Sequence, residues 1–193
     1  MEEEPPKTDE ELAIAAQNGN ADAFGFLVGR YEEKIKRYIK KFISGTEAED
    51  ITQTVFLKAF ENIKSFKAEL KFSSWLYRIA HNELVNFLKK KKMLPLFDFD
   101  VFLPHYHTSQ KEIENEIEKK IILQYFEECL SQLEPKYKEV IIFYYIEGLS
   151  YQEISDITRS PISTVGIRLK RAKEKLKIIC ASLNTNNQYG TNK

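Results

Sequence analysis

Arg78, Asn82, Asn86 and Lys89 stand at 0, +4, +8 and +11, so a helix would gather them into one polar stripe. Such a stripe is suited to a polyanion, because a basic face can track phosphates while stacking surfaces nearby hold bases. Further along, Ser163, Thr164, Arg168, Lys170, Arg171, Lys173 and Lys175 crowd the polar faces of a second helical pattern. There the N-terminal residues could reach base edges in a major groove and the later cations could meet phosphates. Residues for bond-making chemistry do not assemble. There is no P-loop, HExxH, nucleophile elbow or cysteine-pair motif. His105-x-His107 with Asp98 and Asp100 has ligand-type side chains but no helix to fix their spacing, and His81 reads as a surface or DNA-facing residue. No catalytic residue, metal site or cofactor is expected.

Charge is arranged in blocks. The 193 residues balance 29 basic against 29 acidic side chains, which at first argues against nucleic acid. Residues 64–93, however, carry 8 basic and 2 acidic groups, and residues 129–193 carry 10 and 6. The acidic excess falls in residues 1–63 and 94–128. Block charge governs a partner's approach more than the sum does. The N-terminus is acidic where a secretory leader would be basic. The longest apolar run, Val140 to Ile146, is seven residues, too short to span a bilayer. Cys129 and Cys180 lie far apart in sequence and read as reduced thiols of a cytoplasmic protein.

The elements that must position these residues are helical. With only 7 Gly and 6 Pro, a many-stranded sandwich or barrel is excluded, and no period-two strand survives. A first pair of helices breaks near Gly19-Asn20, and Tyr31 to Phe42 continues as a basic amphipathic helix. Glu49 to Ile63 places Ile51, Val55, Phe56, Ala59, Phe60 and Ile63 on one stripe. The helix over Ser73–Lys92 carries the only tryptophan, Trp75. Trp75, Ile79 and Phe87 are expected to hold it to the first domain. Its closing run Lys89 to Lys92 should extend the polar stripe along phosphates. Residues 93–118 mix aromatics, acids and prolines and read as a linker that docks on something. These 26 residues could reach about 90 Å if extended. The expected architecture is all-α: two small helical domains, 1–92 and 119–181, joined by a flexible linker, with a disordered tail at 182–193.

Residues 148–176 predict a helix-turn-helix. Gly148 stops the preceding helix, and Ser150 with Glu153 makes a capping box. Ile154 and Ile157 face inward, and Ser160-Pro161 stops one helix and starts the next. Val165, Leu169, Ala172 and Leu176 give the second helix its buried stripe.

Leu133-Glu-Pro-Lys-Tyr-Lys-Glu-Val-Ile-Ile-Phe-Tyr-Tyr-Ile-Glu-Gly-Leu-Ser-Tyr-Gln-Glu-Ile154 and Ser163-Thr-Val-Gly-Ile-Arg-Leu-Lys-Arg-Ala172 resemble region four of bacterial sigma factors. The likeness is to the extracytoplasmic-function (ECF) group of the sigma-70 family. Glu49-Asp-Ile-Thr-Gln-Thr-Val-Phe-Leu-Lys-Ala-Phe60 resembles region two's core-binding helix. Phe72-Ser-Ser-Trp-Leu-Tyr-Arg-Ile-Ala-His-Asn82 resembles its promoter-melting segment.

The resemblance implies a non-catalytic subunit that brings RNA polymerase core to promoter DNA and helps to open it. Glu49, Asp50, Gln53, Thr54 and Leu57 would bind the core. Ser163, Thr164, Ile167, Arg168, Lys170, Arg171 and Lys175 would meet the minus-thirty-five duplex, with Ile167 beside a thymine methyl. Phe66, Lys67, Lys71, Phe72, Arg78, Asn82, Asn86, Lys89 and Lys90 would hold the opened minus-ten strand, the loop 66–72 helping to capture a flipped base. An anti-sigma partner is implied as well. Thr54 stands where the family often has Glu, and Gly166 where Lys is usual. The competing reading is a helix-turn-helix regulator that works without polymerase.

Overall fold

The computed structural model describes residues 8–91 and 116–189. Eight α-helices occur there: α1 Asp9–Gln17, α2 Ala21–Lys40, α3 Thr46–Glu61, α4 Phe72–Lys90, α5 Glu116–Ser131, α6 Pro135–Ile141, α7 Tyr151–Thr158 and α8 Ile162–Tyr189. A 3-10 turn at Ile63–Ser65 follows α3, and α6 runs on into a wider π turn at Ile142–Ile146. Among the described residues there is no strand, and no helix is long and apolar enough to cross a membrane. The all-α expectation therefore holds.

Local signals set the helix ends. In α1, Thr8 and Glu11 form a reciprocal capping box, at 2.7 and 3.2 Å. Gly19 takes φ +94°, a left-handed conformation that costs glycine little, and Asn20 caps α2 through the amide of Ala23 at 3.1 Å. Pro135 opens α6, where its missing N–H has no partner to lose. Gly148, at φ +66°, stops the stretch before α7. The predicted capping box at Ser150–Glu153 is present, at 2.8 and 3.3 Å.

The chain divides into two compact units, the first built mainly on the N-terminal helices and the second mainly on the C-terminal helices. In the first, α2 buries Phe24, Leu27, Tyr31, Ile35, Tyr38 and Ile39. Each such side chain contributes about 1.5–3 kcal/mol on leaving water. Trp75 is buried with Leu76, Ala80, Leu84 and Leu88 on α4, as a core tryptophan should be. Ile79 and Phe87 are only half-buried. The inward face of α4 thus follows the +4 row from Phe72 to Leu88, and of the expected trio only Trp75 is fully buried with it. Phe60 leaves the predicted apolar stripe of α3 and is 51% exposed. On α7 and α8, Ile154, Ile157, Val165, Leu169 and Ala172 are buried, and Leu176 is half-buried.

Other expectations are revised. Cys129 on α5 and Cys180 on α8 are joined in a disulfide with their Cα atoms 5.4 Å apart, and the Tyr125 hydroxyl donates to the Cys180 carbonyl. The reading of two reduced, isolated thiols is corrected. Their 51-residue separation is closed by the packing of α5 on α8, which no local spacing encodes. Helix α8 continues to Tyr189, through most of the segment expected to be disordered, because extending an existing helix is far easier than nucleating one. Helix α5 starts at Glu116, inside the expected linker. Most of that linker, with His105, His107, Asp98, Asp100 and the docking aromatics, lies outside the described residues.

Candidate nucleic-acid and polymerase interfaces

Helix α4 presents the first polar stripe. Arg78 and Asn82 are half-buried, and Asn86, Lys89 and Lys90 are exposed. Lys91 differs from its neighbours: its Nζ lies 2.7 Å from Glu47 on α3 and 5.6 Å from the Phe87 ring centroid. One lysine of the run is therefore a tether between helices. A second ion pair, Lys58–Glu83 at 2.7 Å, also joins α3 to α4. Lys92 lies outside the described residues.

The loop before α4 divides into an open middle and buried ends. Lys67 and Lys71 are exposed, and the Leu70 amide donates to the Lys67 carbonyl at 3.0 Å in a tight turn. Phe66 and Phe72 are 4% and 1% exposed. They pack against Trp75, each with ring centroids 5.7 Å from the indole, and Phe72 also meets Tyr31 at 5.6 Å. Phe66 and Phe72, expected at the opened strand, are turned into the core in this structure. Their rings complete the core because burying two phenyl groups outweighs leaving them in water, so they shape the loop from beneath.

On α3, Asp50, Gln53 and Leu57 are exposed, and Thr54 is half-buried. Leu57 is 64% exposed. Together with Phe60 they form an outward face of mixed acid, amide and apolar character. The Thr54 hydroxyl donates back to the Asp50 carbonyl at 2.8 Å. Glu49 faces α2, where Lys36 and Lys40 lie at 3.2 and 3.8 Å. Glu49, by accepting the Lys36 hydrogen bond, pushes that ammonium's pKa up.

Helix α8 meets α7 through a turn in which Arg159 takes φ +51°. Ser155 on α7 donates its hydroxyl to the Ser160 carbonyl at 2.6 Å, and α8 follows Pro161. Ser163 is exposed, and Thr164, Ile167, Lys170 and Arg171 are half-buried. Lys170 pairs with Glu174 at 3.8 Å one turn on. Two predicted DNA contacts have other work in this structure. Arg168 donates to the Ser160 hydroxyl at 3.0 Å, and burial pulls its pKa down against the opposing pull of Glu139 and Tyr137. Lys175 reaches Glu134 at 2.9 Å, at the start of α6, over the Tyr137 ring at 5.1 Å. Arg168 thus braces the turn and Lys175 braces α8 against α6.

Gly166, which stands where the family usually has Lys, is buried, and a Cβ there would stand 3.5 Å from the Tyr151 ring. Tyr151 in turn meets Tyr144 at 5.3 Å, and Tyr144 meets Tyr145 at 4.9 Å. Burial chiefly raises the Tyr151 phenol pKa, helped by the two neighbouring tyrosines.

Three contributors escaped the sequence reading. Glu10 and Gln17 on α1 bond to the two ends of the loop before α4. Glu134 anchors Lys175. All act across at least 40 residues, and no spacing rule could have found them.

Comparison with known proteins converges on the same two units. Residues 27–93 match the family model for sigma-70 region 2, and residues 123–176 match sigma-70 region 4. The ECF RNA polymerase sigma factor SigW of Bacillus subtilis is 34% identical over 178 residues, covering 83% of this chain and 90% of that protein. The ECF RNA polymerase sigma-E factor of Haemophilus influenzae is 31% identical over 182 residues, covering 88% and 94%. The solved sigma factor RpoE, in complex with the anti-sigma factor NepR from Bartonella quintana, superposes with a TM-score of 0.60. It has 21% identity and covers 81% of this chain and 95% of that one, a likeness of fold. With both region models matched in order and relatives aligned along most of their length, the chain belongs to the extracytoplasmic-function group of the sigma-70 family of RNA polymerase sigma factors.

Proposed function

We propose that this sigma factor acts in the cytoplasm as a dissociable, non-catalytic subunit that directs bacterial RNA polymerase core to one promoter class and helps to melt it. The observation that carries the reading is the pairing, in one chain of this family, of an exposed mixed face on α3 with basic surfaces on α4 and α8. Asp50, Gln53 and Leu57, with Phe60 added, form the polymerase face. Glu49 stands at its edge, held by Lys36 and Lys40.

Lys67, Lys71, Arg78, Asn82, Asn86, Lys89 and Lys90 form the surface for the opened strand. Cations there track phosphates while amides and the loop meet unpaired bases. Ser163, Thr164, Ile167, Lys170 and Arg171 form the duplex-reading surface, with Arg168 and Lys175 holding α8 in place. Such a face is also a natural target for an inhibitory partner. The anti-sigma complex formed by the structural relative supports an anti-sigma partner here.

Run-off transcription with bacterial core and a genomic fragment library tests the function. Initiation from a subset of fragments is expected, and failure on every fragment sinks the reading. Asp50→Ala and Gln53→Ala should each weaken co-purification with core. Wild-type core affinity in both variants, with duplex binding intact, would favour a regulator that works without polymerase.

A further inference from the structure

We infer that α1 is a positioning clamp for the strand-capturing loop, acting through Glu10 and Gln17. The inference rests on the strand-binding role proposed above for residues 66–72. Helix α1 precedes the segment that matches sigma-70 region 2, which begins at residue 27.

The loop is fixed at both ends by one helix. At its far end α4 starts poorly: Lys71 offers no side-chain cap, and the first turn holds no acidic residue. A helix start leaves amides unpaired and prefers negative charge. Glu10 supplies both needs, its Oε1 accepting from the Phe72 amide at 2.9 Å across 62 residues. At the near end, Gln17 Nε2 donates to the Ile63 carbonyl at 2.9 Å and the Phe66 carbonyl at 2.7 Å. A side-chain amide nitrogen has two hydrogens, so both bonds can form together. Glu10 and Gln17 are seven residues apart on one face, about 10 Å along the axis.

The clamp is itself held. Asp9 pairs with Arg30 on α2 at 2.6 Å and accepts from the Tyr31 hydroxyl. Phe66 and Phe72 lock the underside against Trp75. Lys67 to Lys71, between the fixed points, stay exposed. A loop rigid at both ends and open in the middle receives an unpaired base without first being ordered, which preserves affinity. Glu10 and Gln17 are therefore positioning residues: they touch the loop and not the DNA.

The test uses the full chain with Glu10→Ala, Gln17→Ala and the conservative Glu10→Gln, which retains an acceptor oxygen. The probe is the single-stranded non-template oligonucleotide of a promoter that the wild-type chain opens. Each alanine variant should lose about three- to tenfold in strand affinity, the worth of one or two hydrogen bonds. It should also show faster amide exchange across residues 63–72 and altered emission from Trp75, the single tryptophan. Core affinity should stay within about twofold, and Glu10→Gln should recover most of the strand affinity, because one acceptor bond is kept. Unchanged exchange in the loop, or unchanged strand affinity, overturns the clamp. A parallel fall in core affinity overturns it too, by showing general destabilisation. A wild-type chain that directs transcription but binds no strand sinks the strand-binding reading, and the clamp with it.

Discussion

The ring of Tyr151 lies 3.5 Å from where a Cβ on Gly166 would stand, so α8 carries a glycine under an aromatic lid. That distance is ordinary van der Waals contact. Gly166→Ala should therefore gain helix propensity without a clash and stabilise the C-terminal unit by about 0.5–1 kcal/mol. Gly166→Lys must bend its stem around the ring and should gain less. Thermal unfolding of the three proteins settles the order; a destabilised alanine variant would mean that the ring presses closer.

Lys175 and Glu134 give a pH signature. The Lys175 hydrogen bond is the main cause of the lowered Glu134 pKa, and the same bond is the main cause of the raised Lys175 pKa. The carboxylate contribution is present above its unfolded pKa of about 4.3 and is lost as pH falls through the folded value. The ammonium contribution is present below about 10.4 and is lost as pH rises through the folded value. Both side chains are 47% exposed, so the pair is worth about 0.2–1 kcal/mol. Melting temperatures of wild type and Lys175→Gln should differ at neutral pH and converge in acid below the carboxylate range. A gap that persists there would assign it to packing on Tyr137.

The lysine run separates into two roles. Lys89→Gln with Lys90→Gln should lower the salt dependence of open-complex binding by up to about 1.4 in log–log slope, about 0.7 for each single-strand phosphate contact. Lys91→Gln should instead release Glu47 and loosen α3 from α4, with little change in slope. Binding titrations across a salt series distinguish them; an unchanged slope in the double variant returns Lys89 and Lys90 to a solvated helix end.

Arg168→Ala removes the bond to Ser160 that steadies the turn. It should lower the melting temperature and weaken specific and scrambled duplexes alike. A loss confined to the specific sequence, about 1–3 kcal/mol, would make Arg168 a base reader.

Reducing the Cys129–Cys180 bond, or replacing Cys180 with Ser, opens a loop of 51 residues. Chain entropy sets the expected loss at about 4 kcal/mol in the C-terminal unit, large for so small a core. Non-reducing electrophoresis and denaturant melts with and without dithiothreitol measure it. Identical melts would show that the bond contributes nothing to stability.

The sequence by itself determined the all-helical character and most helix ends, though neither the start of α5 nor the end of α8. Thr8–Glu11, Gly19, Gly148, Ser150–Glu153 and Pro161 act within a few residues of one another, where hydrogen bonds and left-handed φ values are local matters. It also determined the two basic blocks and the +4 and +7 rows of α8, since periodicity is a property of one helix. Tertiary structure alone decided what those helices meet. It turned Phe66 and Phe72 inward, gave Arg168 and Lys175 structural partners, laid Tyr151 on Gly166 and brought Cys129 to Cys180. It also brought Glu10 and Gln17 of α1 onto the loop 63–72. Each of these depends on the angle and distance at which two helices pack, set by the whole core at once, so residues tens of positions apart carried no mark of their partners.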